Sequence, residues 1–223
     1  MKMIVLVMLM LISVKLHAGP SLRISTVETI AALPNVSELV SNAYAELGYQ
    51  VEIIPMPAKR SLYQAKNNFG IDAELARTEY VASYLPHHLM IPVPLAYINI
   101  AAFVKREEID ISQWEDLQGY QVAGVRGHLF LEVKLENHVS TVFFSDAHQA
   151  LTMLGRGRVD VVILPQSIGE YVVKKYWHKQ IKMLSPSLDA IPVYHYLHDK
   201  HRGIADSLAA VLRKLTAEPL VKN

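Results

Sequence analysis

The chain has 223 residues, 22 Lys+Arg against 21 Asp+Glu, 51% hydrophobic residues and no cysteine. Its near-neutral, dispersed charge gives no electrostatic footprint for nucleic acid or an anionic membrane surface. The lack of cysteine excludes disulfides, thiolate metal sites, a thiol nucleophile and a lipid-bearing cysteine at an export cleavage site.

Residues 1–18 have the layout of a secretory signal peptide: Lys2, an apolar run from Met3 to Val14, and Ala18 before Gly19-Pro20. The run is short for a membrane span, so a cleaved leader is expected, with an uncleaved anchor as the alternative. Cleavage removes Lys2, Lys15 and no acid, leaving 20 Lys+Arg against 21 Asp+Glu. What remains is long enough for one large domain or two small lobes, each with its own core. A soluble periplasmic protein is the simplest fit.

"LRISTVET" (22–29) reads as a strand. Val36, Leu39, Val40, Ala43, Tyr44 and Leu47 then draw one helical face behind Asn35 as N-cap, with Gly48 as the stop. "QVEIIP" (50–55) is a second strand, "AKRSLYQAKNN" a helix ended by Gly70, and "IDAEL" a third strand. The short-range alternation of strand and helix argues for a parallel sheet. Further on, "INIAAFVK" (98–105), "YQVAGV" (120–125), "STVFF" (140–144), "VDVVIL" (159–164) and "IPVYHYLH" (191–198) read as strands. A short helix is expected at "SQWEDL", one behind a Ser145 cap and ending at Gly155, one opening at Pro165, and a last one carrying Ile204, Leu208, Val211, Leu212 and Leu215. The organisation is two α/β units, with a join near residues 98–106 and a return near 184–192.

No Gly-x-Ser-x-Gly elbow, His-Glu-x-x-His pair or Gly-Lys-Ser/Thr phosphate loop occurs. "GRGR" (155–158) sits between a helix end and a strand start, where a C-cap turn belongs and a phosphate loop does not. His195, His198 and His201 invite a metal reading, but positions three apart in a strand face opposite sides and the third falls in a turn, so no metal site and no cofactor is expected.

What remains is a set of polar residues just beyond strand ends: Glu28 and Thr29, Lys59 and Arg60, Arg77, Arg126 and His128, and Gln166. Ligands of open parallel sheets bind beyond the carboxyl ends of the strands. Arg60, within the first turns of a helix, reads more readily as a solvated charge than as a ligand contact, and Arg126 and His128 read equally as plain loop residues. Arg77 stands out. Strand alternation places it with Ile71, Ala73 and Leu75 on a face that wants burial and puts Glu74 on the other face, so the guanidinium needs an anion from elsewhere. That anion is either a ligand, the preferred reading, or some other internal acid.

"AKRSLYQAKNNFGIDAELART", "LQGYQVAGVRG" and "ALTMLGRGRVDVVILPQ", in this order, resemble segments of the bacterial extracellular solute-binding proteins of family 3, which include polar amino-acid receptors. The resemblance spans roughly residues 20–218. It implies a two-lobed, periplasmic-binding-protein-like II (Venus flytrap) α/β fold with two crossing hinge segments. Lobe 1 is then 19–102 with 190–223, and lobe 2 is 103–189. It further implies a monomer that performs no chemistry and clamps a small polar, anionic or amino-acid-like solute for uptake or sensing, with an inner-membrane transporter or sensor as partner. Arg77 is the position most similar to the family's carboxylate-holding arginine. Pro165 stands where the family places the acid for a ligand ammonium, leaving Glu28 or Glu74 as substitutes. The alternative is a dehydratase-like enzyme on the same scaffold, with Glu74 beside Arg77 as acid or base acting on a small carboxylic acid.

Overall fold

The computed structural model describes residues 19–27, 35–136, 140–177 and 180–217. The expected leader at 1–18 and the candidates Glu28 and Thr29 lie outside the described residues.

Among the described residues nine strands and six α-helices follow one another. The first part of the chain holds β1 (Ser21–Val27), α1 (Val36–Glu46), β2 (Gln50–Met56), α2 (Ala58–Lys66), β3 (Ala73–Arg77) and the long β4 (His88–Val104). Next come β5 (Val122–Val125), α3 (Leu129–Lys134), β6 (Thr141–Phe144), α4 (Ala147–Gly155), β7 (Val161–Pro165), α5 (Gln166–Tyr176), β8 (Lys182–Met183), β9 (Asp189–His198) and α6 (Ala205–Ala217). Short 3-10 turns occupy Glu79–Tyr84, Trp114–Leu117 and Asp199–Ile204.

The strands join in the order β2-β1-β3-β9-β4-β7-β5-β6, with β8 beside β4. The expected parallel pairing holds within each half, where β1 runs parallel to β2 and β3, and β5 parallel to β6 and β7. In the middle it fails. β4 and β9 pair antiparallel with each other and with their outer neighbours, β7 and β3. These two strands carry the chain from one half to the other and back, and a chain that goes and returns across one sheet must do so antiparallel.

β4 begins ten residues before the expected "INIAAFVK". In its first part, Ile91, Val93 and Leu95 are buried and alternate with exposed Met90, Pro92 and Pro94, the period-two pattern of a strand with one wet face. The two prolines mask that pattern in the sequence; they are tolerated because the register with β9 shifts between Met90 and Pro94 and again between Pro94 and Ala96. From Ile100 to Val104 every residue is buried, because both faces are covered: Ile100, Ala102 and Val104 pack into one apolar cluster and Ala101 and Phe103 into another. The first half has its own core, built by Leu22, Ile24, Val40, Tyr44, Leu75, Leu208 and Leu212 from β1, β3, α1 and α6. The result is two lobes, each with its own helices.

The "GRGR" turn is a helix terminus. Arg158 N–H donates to Met153 O at 2.9 Å and Gly157 N–H to Leu154 O at 2.9 Å, with Gly157 at φ +67°, the bonding of a Schellman cap. The expected Ser145 cap is Asp146 instead, whose carboxylate accepts from Gln149 N–H at 2.8 Å, while Ser145 Oγ bonds to Asp146. Asn35 occupies the N-cap position of α1 with no side-chain cap bond.

Gly169, on α5, lets that helix lie against β4. A Cβ there would come within 2.0 Å of the fully buried Phe103 ring. In an open helix, Gly→Ala stabilises by about 1 kcal/mol. Here overpacking dominates, and Gly169→Ala is expected to lower stability by roughly 1–3 kcal/mol. A urea midpoint equal to or above that of the parent would contradict this packing.

Candidate functional site

Where the two lobes meet, beside the crossing strands, lies a cavity of about 70 Å³. Arg77, Thr78 and Val81 wall it from the first lobe, His128, Leu129 and Phe130 from the second, and Ile98 and Val193 from β4 and β9. Its walls are mainly apolar.

Arg77 is at this cavity, as expected, but it already has a counter-ion. Its Nε donates to Glu74 Oε2 at 2.8 Å and its Nη2 to Ala58 O at 3.3 Å. Glu74 is fully buried, and its Oε1 also accepts from Ser25 Oγ at 2.9 Å and Ser61 Oγ at 2.5 Å. The expectation that Glu74 faces away from Arg77 is therefore overturned. The cause is a bulge: Glu74 pairs with Tyr196 and Arg77 with Tyr194, so three residue steps on β3 span two on β9. One extra residue turns the end of the strand and brings both charged side chains to the same side. An isolated buried guanidinium would cost several kcal/mol, and Glu74 with its two serine donors removes that penalty without a guest.

The second lobe contributes His128, at the N-terminal end of α3. Its ring stacks on Phe130, with centroids 6.2 Å apart. Although the residue keeps some surface on the cavity, its Nδ1 is sealed from solvent and has no hydrogen-bond partner among the described residues. Burial, with the Arg77 guanidinium adding to it, pushes the imidazole down to about 4. It is therefore neutral near pH 7, offering one N–H and one lone pair. A buried polar atom left unpaired at the seam of two lobes is unusual in a native protein.

The remaining candidates divide. Arg126 is exposed and its Nη2 donates to the Phe143 carbonyl at 3.0 Å, with no acid beside it among the described residues. Arg60 is exposed and bounds neither the cavity nor the mouth of the cleft. Gln166 is held within its own lobe by Glu170 at 3.1 Å and Ser187 at 3.2 Å, and does not reach the cavity. Lys59, one of the strand-end candidates, lies on a face of α2 whose other members, Ala58, Leu62, Tyr63 and Lys66, were missed in the sequence; that face looks across at Arg126, Gly127 and Leu129. Its signal was the helical spacing of these residues; Arg60 is off that face, while Ser61 and Ala65 point into the protein.

The three strand-end histidines go to separate partners. His195 is fully buried; Nδ1–H donates to Leu75 O at 3.1 Å and Nε2 accepts from Tyr44 OH at 2.8 Å. His198 Nδ1 accepts from Lys200 N–H at 3.2 Å, and His201 Nε2 contacts Asp72 Oδ1 at 2.9 Å. Among the described residues no group of three or more His, Asp or Glu is placed to hold a metal ion.

No family model matches the chain. A protein of Shewanella oneidensis described as uncharacterized is 25% identical over 195 residues, covering 84% of this chain and 73% of that protein. Among solved structures, a histidine kinase sensor domain with similarity to periplasmic binding proteins superposes with a TM-score of 0.72 at 16% identity, covering 90% of this chain and 92% of the other. Holo ArgBP from T. maritima superposes at 0.67 with 18% identity, over 89% and 92% of the two chains. An amino acid ABC transporter substrate-binding protein from Streptococcus pneumoniae, bound to L-arginine, gives 0.67 with 15% identity, over 88% and 89%. The fold is that of the two-lobed periplasmic binding proteins. In such a fold, β4 and β9 are the crossing segments, and the cavity lies in the cleft between the lobes.

Proposed function

We propose that this chain is a solute-binding protein that reversibly clamps a small polar solute between its lobes. The observation that carries this reading is the cavity at the lobe seam, lined from both sides, with Arg77 on the first-lobe wall and on the second-lobe wall His128, whose Nδ1 has no hydrogen-bond partner among the described residues. A solute bridging both lobes touches both only in the closed form, so its binding energy favours closure. The lobes are taken as 19–102 with 190–223 and 103–189. The hinge is on the strands where packing passes from one core to the other, between Leu95 and Ile100 and between Ile191 and Val193.

The leader at 1–18 supports export to the periplasm, and among the described residues no helix is long and apolar enough to cross a membrane. A monomer is the simplest state. Uptake through a membrane transporter and sensing through a membrane partner both suit such a clamp; the likeness to a sensor domain favours keeping sensing as the second reading. A dehydratase-like reaction required Glu74 as acid or base. That carboxylate is fully buried, bound by three donors and not part of the cavity wall, which argues against that role.

The test is native mass spectrometry of the exported protein for a co-purified small molecule, followed by solution scattering of the stripped and reloaded protein. Stripping is expected to increase the radius of gyration, and reloading to reverse it. His128→Leu, which removes one neutral hydrogen-bonding group worth about 1–1.5 kcal/mol, is expected to weaken binding roughly tenfold. A radius of gyration indifferent to every solute that binds would end the clamp reading.

A further inference from the structure

Resting on the clamp reading, we infer that the solute's charged end is held in an outer chamber at the mouth of the cleft, and that the solute is a small organic dianion, a dicarboxylate with an aromatic or aliphatic body.

The inner cavity argues for this by what it lacks. Its volume of about 70 Å³ falls well below the about 300–1,000 Å³ usual for small-molecule sites. Leu129 of the second lobe fills the gap beside it, packing against a first-lobe cluster of Ala65, Ile71, Val81 and Leu85. In return Tyr80 of the first lobe packs into the second-lobe core. The lobes thus already touch through apolar side chains, and the deep arginine is engaged by Glu74. Neither space nor a free cation is available there for a carboxylate head.

The outer chamber has both. It is an open groove of about 460 Å³ between α2 and the Arg126–Glu132 segment. Lys59 and Lys66 enter it from the first lobe and Arg126 from the second. None of the three forms an ion pair among the described residues, and of the three only Arg126 has a side-chain hydrogen bond there, to the neutral Phe143 carbonyl. The chamber's acid, Glu132, is occupied by the Gly127 N–H at 2.7 Å. Three cations against one engaged carboxylate leave an excess of two positive charges, which matches a dianion. Lys59 and Arg126 also share the walls of an adjoining space of about 260 Å³ with His128 and Ser145, so the outer chamber is continuous in its lining with the polar edge of the seam. Tyr63 and Tyr84, 61% and 44% exposed, stand at the rim with Leu62 and offer apolar and aromatic surface to the solute's body. Because the cations come from both lobes, such an anion also holds the cleft shut. That gives the clamp a reason to respond to it.

The experiment is titration calorimetry on the exported, ligand-stripped protein with terephthalate, succinate, benzoate, inorganic phosphate, L-arginine and L-glutamine as probes. A dicarboxylate is expected to bind at least tenfold more tightly than benzoate, with affinity falling as salt rises. Lys59→Ala and Arg126→Ala are each expected to weaken it ten- to a hundredfold, and Arg126→Glu to abolish binding, while the probe-free melting temperature stays within a few degrees of the parent. No dicarboxylate binding, or dicarboxylate binding that ignores both substitutions, overturns the inference. Tight binding of L-arginine or L-glutamine that depends on His128 and not on Lys59 or Arg126 also overturns it, while leaving the clamp itself standing. Phosphate binding better than either dicarboxylate rejects the organic dianion.

Discussion

Glu74→Ala is expected to lower the free energy of unfolding by about 3–5 kcal/mol, the usual result of stripping the partner from a buried ion pair. The substitution leaves the Arg77 guanidinium, 9% exposed, without its acid, and the hydroxyls of Ser25 and Ser61 without their acceptor. Two further variants separate the charge from the packing. Glu74→Gln keeps an acceptor for the serines and is expected to lie between parent and Glu74→Ala. Glu74→Met combined with Arg77→Met, which removes both charges and keeps the volume apolar, is expected to recover most of the loss, since the pair stabilises mainly by cancelling its own desolvation. The same step changes the site. With Glu74 gone, the guanidinium at the cavity wall needs an anion, so a carboxylate solute should raise the melting temperature of Glu74→Ala more than that of the parent. Chemical denaturation placing Glu74→Ala within 1 kcal/mol of the parent would show that the bulge of β3 does not hold this pair in solution.

Acid is the second strong lever. His128 and His195 are pushed down to about 4, chiefly by burial, and so is His88, whose two ring nitrogens are buried without a partner among the described residues and whose ring lies near His198. Unfolded, each takes the ordinary histidine value of about 6.5. Above that value folded and unfolded chains carry the same number of protons on these rings, and the stability is fully present. As pH falls from about 6.5 toward 4 the unfolded chain binds protons that the folded chain refuses, so stability is lost at about 1.4 kcal/mol per pH unit for each well-buried histidine. His128 and His195 together should cost about 4 kcal/mol between pH 7.5 and pH 5, and His88, more open to solvent, adds less. Below about pH 4 these three rings contribute no further slope. Urea midpoints at pH 7.5, 6.5 and 5 test this, and His195→Gln should flatten the profile by about a third to a half. A midpoint constant over that range would mean that these imidazoles are hydrated or protonated in the folded protein.

Much of the architecture is legible along the chain because it depends on neighbours in sequence. The alternation of "LRISTV" and the three-and-four spacing of α1 depend only on residues a turn or a pleat apart. So does the terminus at Gly155-Arg156-Gly157, whose backbone cap bonds stay within its own helix and the turn after it. The position of Arg77 at a strand end, beside the cleft, followed from the same local rules. What those rules could not supply was the direction of pairing at the centre of the sheet or the start of β4, where prolines on the wet face hide a strand that β9 holds in place.

The partner of Arg77 was decided by tertiary structure alone. Strict alternation sends Glu74 and Arg77 to opposite faces, and that reading is sound for a strand that stays in register. A single extra residue, opposite Tyr194 and Tyr196 on a strand more than a hundred positions later, reverses it. Of the free cations of the cleft, Lys59 and Arg126 were legible as strand-end charges but Lys66 was not: it lies two helical turns beyond Lys59, and only the packing of Leu129 onto the first lobe brings the three to one chamber. By itself the sequence determined most of the strands and helices and the Gly155–Arg158 terminus, since those are local choices. Which charges cancel and which remain unpaired depended on distances between segments far apart in the chain, and these were set by the folded sheet.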